Sequence, residues 1–210
     1  MTTPPPSRAA HLREEVRAQR TATVRLLGGL TDEQWDAPSL CRGWSVAHVA
    51  AHLTMPFRVR LPRLVLEVLR ARGSIDRAAD RLARAELAAL GRDGVVATLR
   101  ENVDHPWQPP GGGPTGALAH DVIHGLDITD ALGLRPVAPP GRIAVVVEGV
   151  RDRLGYFGAE LAGRRLVATD ADVVVGQGPP VELPVDQVLL VCTGRRSVAE
   201  AVARTTGDRR

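Results

Sequence analysis

The chain has 210 residues, 44% of them hydrophobic and 3% aromatic, which is enough for one sizeable core built mainly from Leu, Val and Ala. Its 27 basic residues are all Arg and are spread along predicted helices among 24 acids, so the net charge of +3 indicates a solvated surface rather than a nucleic-acid-binding patch. No apolar run reaches the roughly 20 residues of a membrane helix and the N-terminus has no signal-peptide pattern, so we expect a cytoplasmic protein without nucleic-acid or membrane partners.

The first half of the sequence alternates helical patterns with Gly, Pro and Ser boundaries. Residues 1–6 are proline-rich and are expected to be disordered. Thr31 and Gln34 have capping-box spacing, Ser45 is expected to be the N-cap of the next helix, and Pro56 predicts a kink or break. On this pattern we predict helices over 7–27, from 31, over 46–54, 58–72, 74–91 and 94–103.

The second half begins with a breaker segment and ends in a different pattern. Residues 104–116 are rich in Pro and Gly, which predicts a long loop that forms a lid or rim of a site. Helices are predicted over 117–132 and 141–162, followed by two or three short strands and by helices over 186–193 and 197–205. The predicted fold is mainly α: a four-helix bundle over 7–162 and a small α/β segment over 163–210.

Three histidines are the candidate metal ligands. His120 and His124 are four residues apart on one predicted helix, so their imidazoles lie on the same face, one turn apart. His52 lies on another predicted helix, next to the apolar Leu53. Three protein ligands with one open position are the arrangement found in catalytic zinc sites. The sequence therefore predicts a divalent metal site at His52, His120 and His124.

Five further side chains near these histidines are candidates for supporting roles. His48 stands at N3 relative to Ser45, where a capping box would have Glu or Gln. It is interpreted as a fourth ligand, a hydrogen-bond donor behind the ligands or a base, with a solvated residue at the helix start as the alternative. Asp121 and Asp127 either orient the free ring nitrogen of a ligand or lie on the surface. Arg42 and Arg58 either bind the carboxylate of a ligand by bidentate contact or are plain surface charges.

Three segments resemble a known family. WDAPSLCRGWSVAHVAAHL at 35–53 and HDVIHGLDITDALG at 120–133 resemble segments of the DinB/maleylpyruvate isomerase superfamily, especially its mycothiol-dependent actinobacterial branch. RRLVATDADVVVGQGPPVELPVDQVLLVCTGR at 164–195 is similar to the short C-terminal segment that many of those chains carry. The resemblance covers most of the chain and implies a DinB-like four-helix bundle with a small C-terminal α/β appendage.

The resemblance also implies a metal site and a class of reaction. In that family a histidine on the second bundle helix and two ligands four apart on the third hold the metal, and these positions match His52, His120 and His124. His120 stands where the mycothiol-dependent isomerase has a glutamate. The implied chemistry uses a divalent ion that binds a low-molecular-weight thiol such as mycothiol; zinc is the first choice for this ion, and nickel and iron are the alternatives. The thiolate then attacks a small electrophile in S-transfer or isomerisation. The implied partners are a small thiol and an electrophilic substrate, and a homodimer is left open.

Two other functions remain open on the sequence. One is a hydrolase that uses a metal-bound hydroxide, and the other is a non-catalytic metal- or ligand-binding bundle. No Glu stands near the ligands in sequence, which favours the non-catalytic bundle because a general base is then missing. A thiol nucleophile requires no such base, which favours the thiol-dependent enzyme.

Overall fold

The structure is a computed structural model that describes residues 7–207, so the segment 1–6 and its predicted disorder lie outside the described residues. Within this range the chain is mainly helical, with one small sheet, as predicted. Its elements, in order, are α1 (Arg8–Gly28), α2 (Asp32–Asp36), α3 (Val46–Arg58), α4 (Leu61–Arg70), α5 (Ile75–Glu101), α6 (Gly113–Thr129), α7 (Pro140–Val150), a 3-10 segment (Arg151–Phe157), β1 (Arg165–Ala168), β2 (Val174–Gly176), β3 (Pro180–Leu183), α8 (Val185–Cys192) and α9 (Val198–Gly207).

Four of the helices, α1, α3, α5 and α6, form a bundle. Helix α3 packs against α5, α1 packs against α6, and contacts of α1 with α5 and of α3 with α6 close the bundle. The buried residues of α1 recur every three or four positions, so one stripe of this helix faces the interior; they are Leu12, Val16, Gln19, Arg20, Thr23, Val24 and Leu27. The capping box predicted at Thr31 is present at the start of α2. The predicted four-helix bundle is therefore confirmed.

Two helix boundaries differ from the predicted ones, and one predicted break is present. Helix α3 continues through Pro56 to Arg58, because a proline two residues before a helix end removes only one backbone hydrogen bond. The break predicted between the helices over 74–91 and 94–103 falls within α5 at Gly91, whose non-helical backbone (φ 62°, ψ 179°) is a conformation that glycine adopts without steric cost. The helix predicted over 141–162 ends at Val150 and continues as a 3-10 segment, since Gly149 and Gly155 weaken the α-helical preference there.

The C-terminal part builds a three-stranded sheet that packs against helices. The strand order is β2–β1–β3, with β1 antiparallel to β2 and parallel to β3. Helix α7 contacts both α6 and α8, so the apolar core runs continuously from α6 into the C-terminal part. Ten of the 17 residues of α6 are buried, because α6 lies between the bundle helices and α7 and α8. A domain boundary at 162/163 stays a prediction.

Gly194, at the end of α8, is expected to be sensitive to substitution. Its φ is +67°, and a Cβ atom there would lie 2.5 Å from the carbonyl oxygen of Phe157. Gly158 has a similar φ of +64°, but a Cβ atom there meets nothing within 4 Å. Gly158→Ala should lower the free energy of unfolding by about 1–2 kcal/mol through backbone strain alone, and Gly194→Ala by about 1–3 kcal/mol more through the clash. Urea unfolding with an unchanged m-value measures both; equal losses would contradict the expected clash.

Candidate metal centre

The three predicted histidines meet at one point. Helix α3 supplies His52 and helix α6 supplies His120 and His124, and the contact between these two helices brings the rings together. One ring nitrogen from each residue lies within 4.8 Å of the others, and the Nε2 atoms of His52 and His120 are 3.3 Å apart. Each pair of ring centroids is separated by 4.8 to 5.2 Å. The structure therefore brings together the residues that the sequence selects as ligands.

Two carboxylates orient the histidines of α6. Asp121 Oδ1 lies 2.9 Å from Nδ1 of His120, and Asp127 Oδ2 lies 2.9 Å from Nδ1 of His124. An ionised carboxylate accepts, so each Nδ1 carries the proton and each Nε2 keeps its lone pair. Of the two supporting roles considered for Asp121 and Asp127, orientation of a histidine is the one that the contacts show.

The resulting donor set fits a divalent cation. The Nε2 lone pairs of His120 and His124 converge with His52, whose own Nδ1 has no hydrogen-bond partner among residues 7–207. Converging lone pairs repel one another unless a proton or a cation lies between them. Imidazole nitrogens backed by carboxylates are the ligands that zinc takes in catalytic sites.

Two arginines hold the orienting carboxylates. Arg20 of α1 is buried and donates from Nε to Asp121 Oδ2 at 2.8 Å. Arg195, which follows α8, donates from Nε to Asp127 Oδ1 at 3.0 Å. Sequence reasoning missed both residues, because they lie 101 and 68 positions from their partners and no local pattern links them.

Burial keeps His52 and His124 neutral near neutral pH. Desolvation lowers the pKa of His52 well below its ordinary value, and the neighbouring His124 and His120 lower it further. Desolvation also lowers the pKa of His124, although Asp127 opposes this shift. For Asp127 itself burial acts to raise the pKa, but hydrogen bonds and charge from His124 and Arg195 outweigh it and bring the pKa to about 2. Both histidines can therefore offer a lone pair, while Asp127 remains charged.

The Cys41 thiol lies beside the same carboxylate. Its Sγ donates to Asp127 Oδ2 at 3.1 Å and is 3.9 Å from Nδ1 of His124. Cys41, His124 and Asp127 form a second group of ligand-type atoms, but the guanidinium of Arg195 already neutralises Asp127. Burial, and then the charge of Asp127, raise the pKa of Cys41, so this thiol stays protonated at neutral pH and is a poor nucleophile.

The other sequence candidates lie outside the histidine cluster. His48 Nδ1 is 2.8 Å from the hydroxyl of Ser45 in a capping box, and its Nε2 is 3.2 Å from Nη1 of Arg84. Arg58 donates to the buried Glu86, and Arg42 is exposed. His48 thus caps the start of α3, a role that the sequence reasoning did not assign to it, and the ligand-binding roles of Arg42 and Arg58 stay predictions.

Two tryptophans lie beside the histidines, and one of them also lines a cavity. The Trp44 ring lies 5.3 Å from His52, and the Trp107 ring lies 5.1 Å from His120, measured between centroids. Trp107 also lines a cavity of about 320 Å³ between α1, the start of α6 and residues 103–108. The loop predicted over 104–116 thus contributes its first part to this cavity, whereas its last residues already belong to α6.

Comparisons with known proteins agree on one family. The family of the mycothiol maleylpyruvate isomerase N-terminal domain matches residues 16–128. Two proteins of Mycobacterium tuberculosis, from strains CDC 1551 / Oshkosh and ATCC 25618 / H37Rv and both described as uncharacterized, are each 29% identical over 162 residues, 66% of this chain. The chain spans 63% of the length of these relatives.

A solved structure has a similar fold. The crystal structure of the mycothiol-dependent maleylpyruvate isomerase superposes with a TM-score of 0.53 at 16% identity, over 94% of this chain and 93% of that one. This likeness confirms the DinB-like bundle with its C-terminal appendage. Because the family match covers more than half of the 210 residues, the chain belongs to the family of the mycothiol maleylpyruvate isomerase N-terminal domain, in the mycothiol branch of the DinB/maleylpyruvate isomerase superfamily.

Proposed function

We propose that this chain is a metal-dependent enzyme that uses a low-molecular-weight thiol, mycothiol, to attack a small electrophile in S-transfer or isomerisation. The observation that carries the proposal is the convergence of His52, His120 and His124 within 4.8 Å, with two of the rings held by carboxylates. Family membership supports mycothiol as the thiol. A divalent ion at this point, zinc in our proposal, would supply a positive charge that lowers the pKa of a thiol.

The side chains of the protein prepare this site in three ways. Asp121 and Asp127 select the Nδ1–H form of His120 and His124, so that both Nε2 atoms face the centre. Arg20 and Arg195 hold the two carboxylates in place. None of the three ligands is a carboxylate, so the donor set is neutral and leaves the full charge of a divalent ion to act on the thiol.

The groups around the histidines favour a thiol over water as the nucleophile. Activation of water benefits from a free general base, but Asp121 and Asp127 are both held by arginines. The pKa of Asp127, about 2, makes it a weak base. The Cys41 thiol is kept protonated by burial and by Asp127. The nucleophile that fits this site is therefore an external thiol that is acidified by the metal rather than by a protein base.

The cavity beside Trp107 is our candidate for binding the organic part of the thiol or electrophile. Its volume of about 320 Å³ is at the lower end of ligand-binding pockets, about 300–1,000 Å³. Val16 and Trp107 offer apolar contact, and Arg13 and Arg17 add positive charge to the wall. Arg17 pairs with Asp104, whereas Arg13 has no ion pair among the described residues and can meet a ligand carboxylate. This position makes Arg13 a better candidate than Arg42 or Arg58.

Replacing one ligand histidine should abolish metal binding without unfolding the protein. Loss of a group that only orients a ligand costs about 10–100-fold in metal affinity, so His120→Ala, which removes a ligand, should cost at least about 100-fold. His11→Ala, at an exposed position of α1, is the matched control and should bind like the parent. Metal content by mass spectrometry and helix content by circular dichroism, on protein without a histidine tag, measure the two effects. Unchanged metal content in His120→Ala would remove His120 from the ligand set.

Metal affinity should depend on pH in one direction. Histidine has an ordinary pKa of about 6.5, and the pKa values of His52 and His124 are lowered by burial, so both are neutral at pH 7. Zinc affinity should therefore change little between about pH 8 and pH 7 and fall once the pH drops below about 6, where protons compete for the ligands. Calorimetric titrations at several pH values measure this. Affinity that already falls steeply between about pH 8 and pH 7 would contradict ligands that burial keeps neutral.

A small thiol should bind directly at the metal. With cobalt in place of zinc, mycothiol or a simpler thiol should produce a sulfur-to-metal charge-transfer band. The band should persist near neutral pH, well below the free thiol pKa of about 8.5, because a coordinated thiol is deprotonated. His120→Ala should lack the band. A spectrum that ignores thiols but responds to hydroxide would favour the hydrolase, and a protein that binds no cobalt would favour the non-catalytic bundle.

A further inference from the structure

Helix α4 directs most of its apolar side chains toward solvent. Leu61, Val65, Leu66 and Leu69 are 45 to 70% exposed, and Ile75, at the start of α5, is 71% exposed. The spacing of four, one and three residues places the four α4 side chains on one face of the helix. None of the ten residues of α4 is buried. We call Leu61, Val65, Leu66, Leu69 and Ile75 the α4 face.

Polar contacts of the opposite side hold α4 on the bundle. Arg63 donates to the buried Glu86 of α5 at 3.0 Å. Glu67 is mostly buried and pairs with Arg70 and with Arg81 of α5. Leu64 adds an apolar contact on the same side, since it is half-buried against Met55 and Leu82. The helix therefore uses its charged residues and Leu64 toward the bundle and leaves the α4 face turned away from it, whereas a surface helix usually buries its apolar face. An apolar face in this position indicates a surface that is covered by something else.

Positive charge is concentrated around the α4 face. Residues 58–77 contain six arginines and two acids, so the formal charge of this segment, +4, exceeds the +3 of the whole chain. Glu86 compensates part of this charge through Arg58 and Arg63. Arg60 and Arg72, one at each end of α4, have no ion pair within residues 7–207. Although arginines occur along the whole chain, they outnumber the acidic residues in this segment.

This charge distribution decides between the surfaces that could cover the face. A second copy of the chain would bring two positively charged segments together, which is unfavourable. An anionic lipid surface offers apolar chains for the leucines and phosphates for the arginines. A short helix with one apolar face and an arginine-rich polar side is the pattern of helices that lie in a membrane interface. No helix within 7–207 is long and apolar enough to cross a bilayer, so contact of this kind would be peripheral.

We propose that the α4 face docks on an anionic lipid surface. Leu61, Val65 and Leu69 enter the boundary between headgroups and acyl chains, while Arg60 and Arg72 bind lipid phosphates. This differs from the expectation of no membrane partner, which was based on the absence of an apolar run long enough to span a membrane. The proposal does not depend on the metal centre, because α4 contributes no residue to the histidine cluster.

Co-sedimentation of the full chain with lipid vesicles tests the proposal. Binding to vesicles of phosphatidylcholine with added phosphatidylglycerol should exceed binding to phosphatidylcholine alone by at least about tenfold, because each arginine near an anionic surface adds to the attraction. Raising the salt from about 0.1 M to about 1 M shortens the screening length from about 10 Å to about 3 Å and should remove most of the difference.

Two matched pairs of variants separate the apolar and the charged contribution. Leu61→Ser combined with Leu69→Ser should lower vesicle binding by at least about tenfold, whereas Tyr156→Ser, which removes a similarly exposed side chain elsewhere, should not. Arg72→Glu should weaken binding to anionic vesicles, whereas Arg135→Glu should not. The altered side chains are exposed, so metal binding should be unchanged in all four proteins, and a failure here is distinguishable from a failure of the metal site.

Three results would overturn the proposal. The first is equal binding to neutral and anionic vesicles. The second is a dimer in light scattering that dissociates in the Leu61→Ser, Leu69→Ser variant, which would assign the face to a second copy. The third is a monomer without vesicle binding, which would leave a protein partner with an acidic surface as the occupant.

Discussion

The burial of two carboxylates on one central helix is the constraint on which the site depends. Asp121 and Asp127 lie on α6, between the bundle and the C-terminal part, and both are shielded from water. A buried carboxylate is costly unless it is paired and hydrogen-bonded. Arg20 from α1 and Arg195 from the segment after α8 meet this requirement. Helix α1 and the segment after α8 are therefore held against α6 by ion pairs as well as by apolar packing.

The same contacts decide the chemistry that the centre can perform. Each carboxylate accepts from one imidazole of α6, so the proton position on that ring is set by a contact that an arginine holds in place. Both carboxylates are paired with arginines, the lowered pKa of Asp127 makes it a weak base, and the thiol of Cys41 is held protonated. What remains is a neutral set of three nitrogens next to a cavity, which fits a divalent ion and an external nucleophile better than it fits protein-based acid–base catalysis.

The C-terminal part is small, but its role is not confined to closing the core. Arg195 follows a glycine whose left-handed backbone lies against the carbonyl of Phe157, so the turn after α8 is sterically defined and aims the guanidinium at Asp127. Helix α4, in contrast, adds little to the core. It packs on the bundle through charged contacts and through the half-buried Leu64, and none of its residues is fully buried, which leaves the α4 face free for an external surface.

The sequence by itself determined the helical class, the strands near the C-terminus and the choice of His52, His120 and His124, because helical periodicity and i, i+4 spacing are local properties of the chain. The roles of His48 and Asp127 stayed open there, since a cap, a surface acid and a ligand partner look alike until the neighbouring helix is known. Only the tertiary structure decided that Arg20 and Arg195 reach the carboxylates of α6, that Trp107 borders His120, and that α4 turns its apolar side outward. These contacts join residues far apart in sequence, and they depend on how the helices pack rather than on the pattern within any one of them.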